Sequence, residues 1–204
     1  GDQAGVVEHV IGGGDAVVLM PTGGGKSVTY QVPALVRPGT GLVISPLIAL
    51  MHDQVDALLA NGVRAAYLNS TQSSSERSAI ERAYVAGELD LIYVAPERLS
   101  NPQTTALLQR GTLSVIAIDE AHCVSQWGHD FRPDYLRIGE LRRALNVPLA
   151  AFTATADEET RAEIVTRLFD GVAPESFLRG FDRPNIHLAF QVKDKPREQI
   201  LAFA

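Results

Sequence analysis

Three short stretches of this sequence carry residue types suited to phosphate and metal chemistry. The first, MPTGGGKS at 20–27, ends in a lysine and a serine, and the second, DEAH at 119–122, places two carboxylates side by side. The third, CVSQWGHDFRPDY at 123–135, contains the single tryptophan of the chain. A lysine, a hydroxyl and paired carboxylates are groups that hold a nucleoside triphosphate with Mg²⁺ and activate an attacking water.

The glycines at 23–25 lie between a predicted strand and a predicted helix. Glycine lets backbone N–H groups converge on an anion, and the helix N-terminus adds its positive dipole end. We expect Lys26 to reach the β- and γ-phosphates and Ser27 to ligate Mg²⁺. The general pattern has glycine where this chain has Met20. A glycine-rich turn that binds nothing is the alternative, and the GKS sequence in this context disfavours it.

The acidic pair Asp119 and Glu120 comes at the end of the apolar run LSVIAI. Open α/β sheets bind their ligands at the carboxyl ends of the strands. We therefore expect Asp119 to hold Mg²⁺, directly or through water, and Glu120 to polarise the attacking water. A pair that merely solvates a strand end is the alternative. The lysine-bearing loop upstream makes nucleotide hydrolysis the stronger interpretation.

The elements that must position these residues alternate along the chain. Apolar runs typical of buried parallel strands are separated by stretches with helical character, which predicts an α/β fold with a mainly parallel sheet covered by helices on both faces. The predicted strands are 15–20, 40–45, 64–68, 89–95, 113–118 and 148–153, and the predicted helices are 2–11, 26–36, 47–60, 74–87, 102–110, 134–145 and 157–169.

Composition limits the class of protein. Hydrophobic residues make up 46% of the 204 residues, enough for a packed core, and no apolar run reaches membrane-spanning length. A soluble, cytoplasmic protein with no membrane partner is expected. The single cysteine excludes an internal disulfide and a zinc site with several cysteine ligands. The net charge of −6 disfavours a basic coat for nucleic acid but leaves room for a local patch.

The last part of the chain differs from the rest. GFDRPNIHLAF at 180–190 indicates a proline-containing connector that runs into a possible new strand, and 195–204 reads as the start of a helix. We predict that residues 1–180 form one domain and that 181–204 are a linker and the beginning of a second domain. Both ends of the sequence suggest a piece of a longer chain.

The motifs together resemble the first motor domain of superfamily 2 helicases, and the tryptophan segment resembles the aromatic-rich loop of RecQ DNA helicases. AFTATA (151–156) is one of the motifs that carry this resemblance. Further matches, which occur in the family's order, are VISPLIALMHDQV (43–55), LNSTQ (68–72), YVAPERL (93–99) and FDRPNI (181–186). The resemblance implies a RecA-like P-loop domain of a 3′-to-5′ DNA helicase that uses ATP and Mg²⁺. It also implies single-stranded and partially duplex DNA as partners, a second RecA-like domain, and nucleoid association in a bacterium.

The resemblance also implies roles for individual residues. It implies that Gln3 recognises adenine and that His122 links the nucleotide site to its neighbours. It also implies that Asp119 binds the metal and that Glu120 activates the attacking water. The remaining implied roles are triphosphate and Mg²⁺ binding by Thr22, Gly23, Gly24, Gly25, Lys26 and Ser27, sensing of single-stranded DNA by Trp127, Phe131 and Arg132, contact with the DNA backbone by Ser45, Pro46 and Arg98, and coupling of hydrolysis to domain movement by Thr153 and Thr155.

Structural explanations stay open for several of these residues. Trp127 and Phe131 would then cover an edge of the core, and Arg132 would pair with Asp130 or Asp134. His129 is nearly as well explained by a structural hydrogen bond, and the two threonines by their preference for strands. For the whole chain, an RNA-directed superfamily 2 enzyme and a non-hydrolysing nucleic-acid-binding domain are the alternatives.

Overall fold

The computed structural model describes residues 2–21, 23–126, 130–178, 192–194 and 199. Thr22, Trp127 and His129 lie outside these residues, as does the connector at 180–190 with the possible strand that it leads into. Most of the predicted helix at 195–204 also lies outside them.

Seven parallel strands form a single sheet in the described part of the chain. Because parallel neighbours require crossover connections, helices link the strands and cover the sheet. The strands are β1 Ala16–Leu19, β2 Thr40–Ile44, β3 Ala65–Leu68, β4 Leu91–Val94, β5 Leu113–Ile118, β6 Leu149–Thr153 and β7 Glu175–Leu178, in the spatial order β3-β4-β2-β5-β6-β1-β7.

The helices lie on both faces of this sheet, and none in the described residues is long and apolar enough to cross a membrane. Core residues of α1, α2 and α3 pack on one face, and those of α4 to α7 pack on the other. The α-helices are α1 Asp2–Ile11, α2 Lys26–Val36, α3 Ile48–Ala60, α4 Ser74–Val85, α5 Pro102–Arg110, α6 Arg137–Leu145 and α7 Glu158–Leu168, with 3₁₀ turns at Pro96–Ser100, Ala121–Val124 and Pro133–Leu136.

Strand β5 shows why the strands read as continuous apolar runs. Every residue of β5 is buried, and its neighbours are β2 and β6. Alternate side chains enter the two cores, with Ile116 and Ile118 on one face and Val115 and Ala117 on the other. A strand covered on both faces needs apolar residues at every position, and this removes the polar alternation of a half-exposed strand.

The predicted fold class is confirmed, with two differences in detail. Strand β7 was not predicted, because it is a four-residue strand with three exposed positions that lies at the edge of the sheet and, among the described residues, pairs with β1 alone. The helix predicted at 134–145 starts as the 3₁₀ turn Pro133–Leu136, and α-helical geometry begins at Arg137. Neither difference moves the strand ends that carry the motifs.

Gly41 in β2 shows how closely helix and sheet approach each other. A Cβ atom at this position would lie 2.3 Å from the Cβ of Ala34 in α2, which is far inside van der Waals contact. Because α2 starts at the glycine loop, its seating on β2 contributes to the placement of that loop.

We predict that Gly41→Ala destabilises the fold by about 1–3 kcal/mol, the usual cost of overpacking a core. Urea unfolding measures the change. Adding Ala34→Gly should recover part of the loss, so that the double variant is more stable than the sum of the single changes. Gly5→Ala is the control: its nearest new contact is 3.6 Å away, and alanine in a helix should stabilise by about 0.5–1 kcal/mol. If Gly41→Ala were as stable as the parent, the prediction would be wrong, because α2 and β2 could then move apart without a loss of stability.

Candidate active site

The predicted site residues gather at the carboxyl edge of the sheet, as the parallel topology requires. The glycine loop follows β1, Ser45 follows β2, and Asp119 follows β5. Thr153 is the last residue of β6, which pairs with both β1 and β5. Four strand ends therefore bring these side chains to one place.

Two glycines of the loop adopt left-handed backbone conformations. Gly23 and Gly25 have φ values of 79° and 78°, in the left-handed region that favours glycine, and the N–H of Gly24 donates to the carbonyl of Pro21 over 2.9 Å. Helix α2 begins at Lys26 with no side-chain cap and no acidic residue in its first turn. Its first N–H groups and positive dipole end thus fit a phosphate group.

Lys26 and Glu120 face each other across this loop. The Nζ atom lies 3.7 Å from Oε1 of Glu120, and their side chains are only 12% and 21% exposed. Glu120 adopts φ 50°, a left-handed conformation that is uncommon outside glycine. Partly buried charges interact more strongly than exposed ones, so this ion pair contributes strongly to the electrostatic potential at the glycine loop.

Asp119 is held by three separate contacts. Its Oδ1 accepts from the backbone N–H of Glu120 over 3.0 Å, and its Oδ2 accepts from the hydroxyl of Ser45 over 3.4 Å. The hydroxyl of Tyr135 donates to the backbone carbonyl of Asp119 over 2.9 Å. Carboxylate and hydroxyl oxygens are the ligands that Mg²⁺ prefers, so Asp119 and Ser27 fit a metal that takes few protein ligands.

The pKa of Asp119 is raised above its usual range. Burial is the main cause, since the residue is 5% exposed, and the charge of Glu120 adds to it. The ammonium of Lys26 acts in the opposite direction. The ionised carboxylate is therefore costly in this fold, and a cation placed beside it would lower that cost.

His122 joins the acidic pair to the AFTATA segment. Its Nδ1 lies 2.9 Å from Oγ1 of Thr153, whose hydroxyl hydrogen is donated to the carbonyl of Thr155 over 2.9 Å. Because that hydroxyl has one hydrogen, His122 must donate through Nδ1–H. The same nitrogen is 3.4 Å from Oε2 of Glu120. The predicted catalytic and coupling residues thus form one chain of contacts.

Gln3 contacts the glycine loop directly. Its Nε2 donates to the carbonyl of Gly24 over 2.9 Å, and a Cβ atom at Gly25 would lie 2.2 Å from the same nitrogen. The residue that the resemblance assigns to adenine recognition therefore lies beside the loop, where it also braces the backbone.

The aromatic-rich segment leaves and returns beside the acidic pair. The backbone N–H of Arg132 donates to the carbonyl of Cys123 over 2.9 Å, which closes the base of the loop. Phe131 is half-buried and Arg132 is exposed. On the outgoing side, the N–H of Gln126 donates to Glu163 of α7 over 3.0 Å. Trp127 lies outside the described residues.

The two acids proposed as structural partners of Arg132 have other contacts. Oδ2 of Asp130 lies 3.8 Å from Nε2 of His122. Asp134 accepts a hydrogen bond from the hydroxyl of Ser100. These contacts tie the loop to the histidine of DEAH and to the turn after β4.

The residues assigned to the DNA backbone are partly engaged within the protein. Ser45 is buried and donates to Asp119, so it belongs to the carboxylate cluster. Arg98 is 14% exposed in its side chain and lies 3.6 Å from Glu81 of α4. Pro46 is half-buried just before α3.

Sequence reasoning missed two residues that support the site. Tyr135 fixes the backbone of Asp119, and the Nε2 of Gln54 donates to the hydroxyl of Ser27 over 3.2 Å. Gln54 lies in the matched segment 43–55, but nothing local to it points to Ser27, which is 27 positions away.

Comparison with known proteins places these features in context. The family described as DEAD/DEAH box helicase matches residues 1–164. The chain is 46% identical over 202 residues to the ATP-dependent DNA helicase RecQ of Pasteurella multocida, covering 98% of this chain and 32% of that protein. It is 48% identical over 171 residues to the RecQ of Bacillus subtilis, covering 82% and 29%. The chain therefore spans about a third of the length of these relatives.

Solved structures share the fold. The Hef helicase domain of Pyrococcus furiosus superposes with a TM-score of 0.66 at 19% identity, covering 89% of this chain and 38% of that one. At this identity the likeness concerns the architecture alone.

We predict that Asp119→Asn raises the melting temperature above pH 7 when nucleotide is absent and EDTA is present. A raised folded-state pKa means that the carboxylate costs stability above that pKa, so the gain should shrink as the pH falls through it. Thermal unfolding across pH measures this. Asp90→Asn is the control with the opposite sign, because Arg64 lowers the pKa of Asp90 by a hydrogen bond: stability should be lost at neutral pH and the difference should vanish in acid. A melting temperature of Asp119→Asn below that of the parent at pH 8 would contradict the prediction.

Proposed function

Because this chain belongs to the DEAD/DEAH box helicase family, we propose that it is the ATP-binding motor domain of a RecQ-type DNA helicase that couples ATP hydrolysis to movement along single-stranded DNA and unwinding of duplex DNA. The observation that carries the proposal is the geometry at the carboxyl edge of the sheet. There the uncapped start of α2 and Lys26 meet Glu120 at the end of β5. The relatives named RecQ support the choice of DNA.

In this proposal the chain binds the triphosphate through its glycine loop. The N–H groups at the start of α2 and the ammonium of Lys26 hold the phosphate oxygens, while Ser27 and Asp119 hold Mg²⁺. When bound there, Mg²⁺ would supply positive charge to the transferred phosphoryl group. Lys26 leaves Glu120 partly free to orient water, because a phosphate gives the ammonium a second anionic partner.

Glu120 is the proposed base. Its carboxylate lies at the strand end and is held near His122, which donates through Nδ1. The Glu120 carboxylate lies between this imidazole and the ammonium of Lys26, and these two neighbours restrain its orientation, which is what a water-positioning group requires. The same histidine forms a hydrogen bond with Thr153, so a movement of Glu120 can be transmitted through His122 to the AFTATA segment.

The aromatic-rich loop is the proposed DNA sensor. Trp127, Phe131 and Arg132 offer stacking surfaces and a cation, a combination suited to single-stranded nucleic acid. Two contacts support coupling to the nucleotide site. Asp130 lies 3.8 Å from His122, and the loop closes between Cys123 and Arg132 directly after DEAH.

We predict that Lys26→Ala in the full-length enzyme lowers ATP turnover by more than about 100-fold in every condition, because the transition-state charge loses its cation. Phosphate release, measured with and without single-stranded DNA, tests this. Lys193→Ala, at an exposed position, should leave turnover unchanged. Near-normal turnover of Lys26→Ala would contradict the assigned site.

Trp127→Ala should instead keep turnover without DNA and lose most of its stimulation by single-stranded DNA. Trp127→Phe retains a stacking surface and should keep the response. Replacing DNA by RNA of the same length separates a DNA-directed motor from an RNA-directed one. Normal stimulation of Trp127→Ala would refute the sensor role, and stronger stimulation by RNA would refute the choice of DNA.

The 204-residue chain by itself should bind ATP and hydrolyse it slowly. In the proposed helicase the transition-state arginine belongs to a second RecA-like domain, and such a residue is worth roughly 10³–10⁵ in rate. Calorimetric binding and single-turnover hydrolysis measure the two properties. Fast, DNA-stimulated turnover by these residues alone would contradict the prediction.

A further inference from the structure

The hydrogen bond from Gln54 to Ser27 is one contact of a larger network beneath the glycine loop. It centres on Gln54 of α3, whose Oε1 accepts from the hydroxyls of Tyr30 and Tyr93, each over 2.8 Å. The Nε2 of Gln54 donates to the hydroxyl of Ser27 over 3.2 Å. Gln31 completes the network by donating to the hydroxyl of Tyr93 over 3.2 Å.

The two tyrosines fix the orientation of the amide. Both are 1% exposed, so each hydroxyl hydrogen needs an acceptor within the protein. Burial raises the pKa of Tyr30 and of Tyr93, which keeps both hydroxyls protonated. With both lone pairs of Oε1 occupied, the NH₂ group of Gln54 must face Ser27.

The hydrogen-bond inventory of Ser27 is compatible with metal binding. A serine hydroxyl has two lone pairs and one hydrogen. Accepting from Gln54 uses one lone pair, which leaves the other for a cation. The hydrogen can be donated to the hydroxyl oxygen of Tyr30, which is within hydrogen-bond reach, or to a phosphate oxygen. The amide therefore sets the direction in which the remaining lone pair points.

Gln54 also joins two parts of the carboxyl edge. It lies on α3, which begins two residues after Pro46 and so continues the segment assigned to the DNA backbone. On the same helix, Nε2 of His52 forms a hydrogen bond with Nδ2 of Asn69, the residue after β3, over 3.1 Å. The His52 ring also stacks on Tyr67 with the ring centres 4.2 Å apart. Helix α3 is thus held to the end of β3 by His52 and to the start of α2 by Gln54.

We propose that Gln54 is a positioning residue for the Ser27 hydroxyl, which it orients toward the Mg²⁺ of the bound nucleotide and ties to helix α3. The proposal rests on the proposed nucleotide site. Gln54 itself touches neither metal nor phosphate, so its loss should weaken binding that depends on Mg²⁺ and spare binding that does not.

The test measures ADP affinity of the full-length enzyme by calorimetry, once with saturating Mg²⁺ and once with EDTA. Gln54→Met keeps the length of the side chain and removes its hydrogen bonds. It should raise the Kd for ADP by about 3- to 10-fold in Mg²⁺, the range expected for one hydrogen bond, and leave the Kd in EDTA unchanged. Gln31→Met is the matched control, since it removes one bond of the same network without touching Ser27, and both Kd values should stay at the parent's.

Two further variants separate positioning from general stability. Tyr30→Phe keeps its edge-on contact with Phe152 and removes one of the bonds that orient Gln54, so a smaller loss confined to Mg²⁺ is expected even if Gln54→Met folds poorly. In the Ser27→Ala background, Gln54→Met should have no further effect on the Kd in Mg²⁺.

An equal loss in Mg²⁺ and EDTA, no loss in either, or full additivity with Ser27→Ala would overturn the proposal. ADP binding by the parent that is indifferent to Mg²⁺ would overturn it together with the proposed metal site. Normal Mg²⁺-dependent binding without stimulation of ATP turnover by DNA would refute only the helicase function and leave the role of Gln54 to the comparison of variants.

Discussion

The buried carboxylate of Asp119 is the constraint on which the arrangement of the site depends. A charge in this position is costly unless hydrogen bonds and an opposite charge surround it. The fold supplies the N–H of Glu120, the hydroxyl of Ser45 and the ammonium of Lys26. These groups come from different strand ends, so the carboxylate is satisfied only when β1, β2 and β5 are in register. A cation bound beside this carboxylate would therefore lower the free-energy cost of keeping its charge buried.

The position of Asp119 also places the proposed nucleotide site next to the aromatic-rich loop. Strand β5 is central and ends at the acidic pair, and Tyr135 returns from the far side of the loop to bond the carbonyl of Asp119. A 3₁₀ turn carries His122 onto Thr153 of the adjacent strand. Rearrangement of the loop therefore acts on both ends of a short, packed segment, which is a physical route for coupling.

Local chemistry made much of this predictable from the sequence. Parallel strands buried on both faces leave continuous apolar runs, and the GKS and DEAH residues follow two of them. Strand β7 escaped prediction because an exposed edge strand needs no apolar run. Gln54 escaped for another reason: its partners lie 24, 27 and 39 positions away, and only the packing of α3 beside α2 and β4 brings them together.

In the proposed function, the energetics of DNA binding favour a loop that senses DNA over one that provides most of the affinity for it. Stacking contributes about 1–3 kcal/mol per base, so Trp127 and Phe131 together supply about 2–6 kcal/mol, whereas micromolar affinity needs about 8 kcal/mol. The net charge of −6 adds no general attraction for phosphates. The positive charge of Arg98 is also partly neutralised by its ion pair with Glu81. In the proposed helicase most of the grip must therefore come from other parts of the full-length protein. A weak local contact suits a sensor, because it can form and break within each cycle of hydrolysis without holding the motor in place.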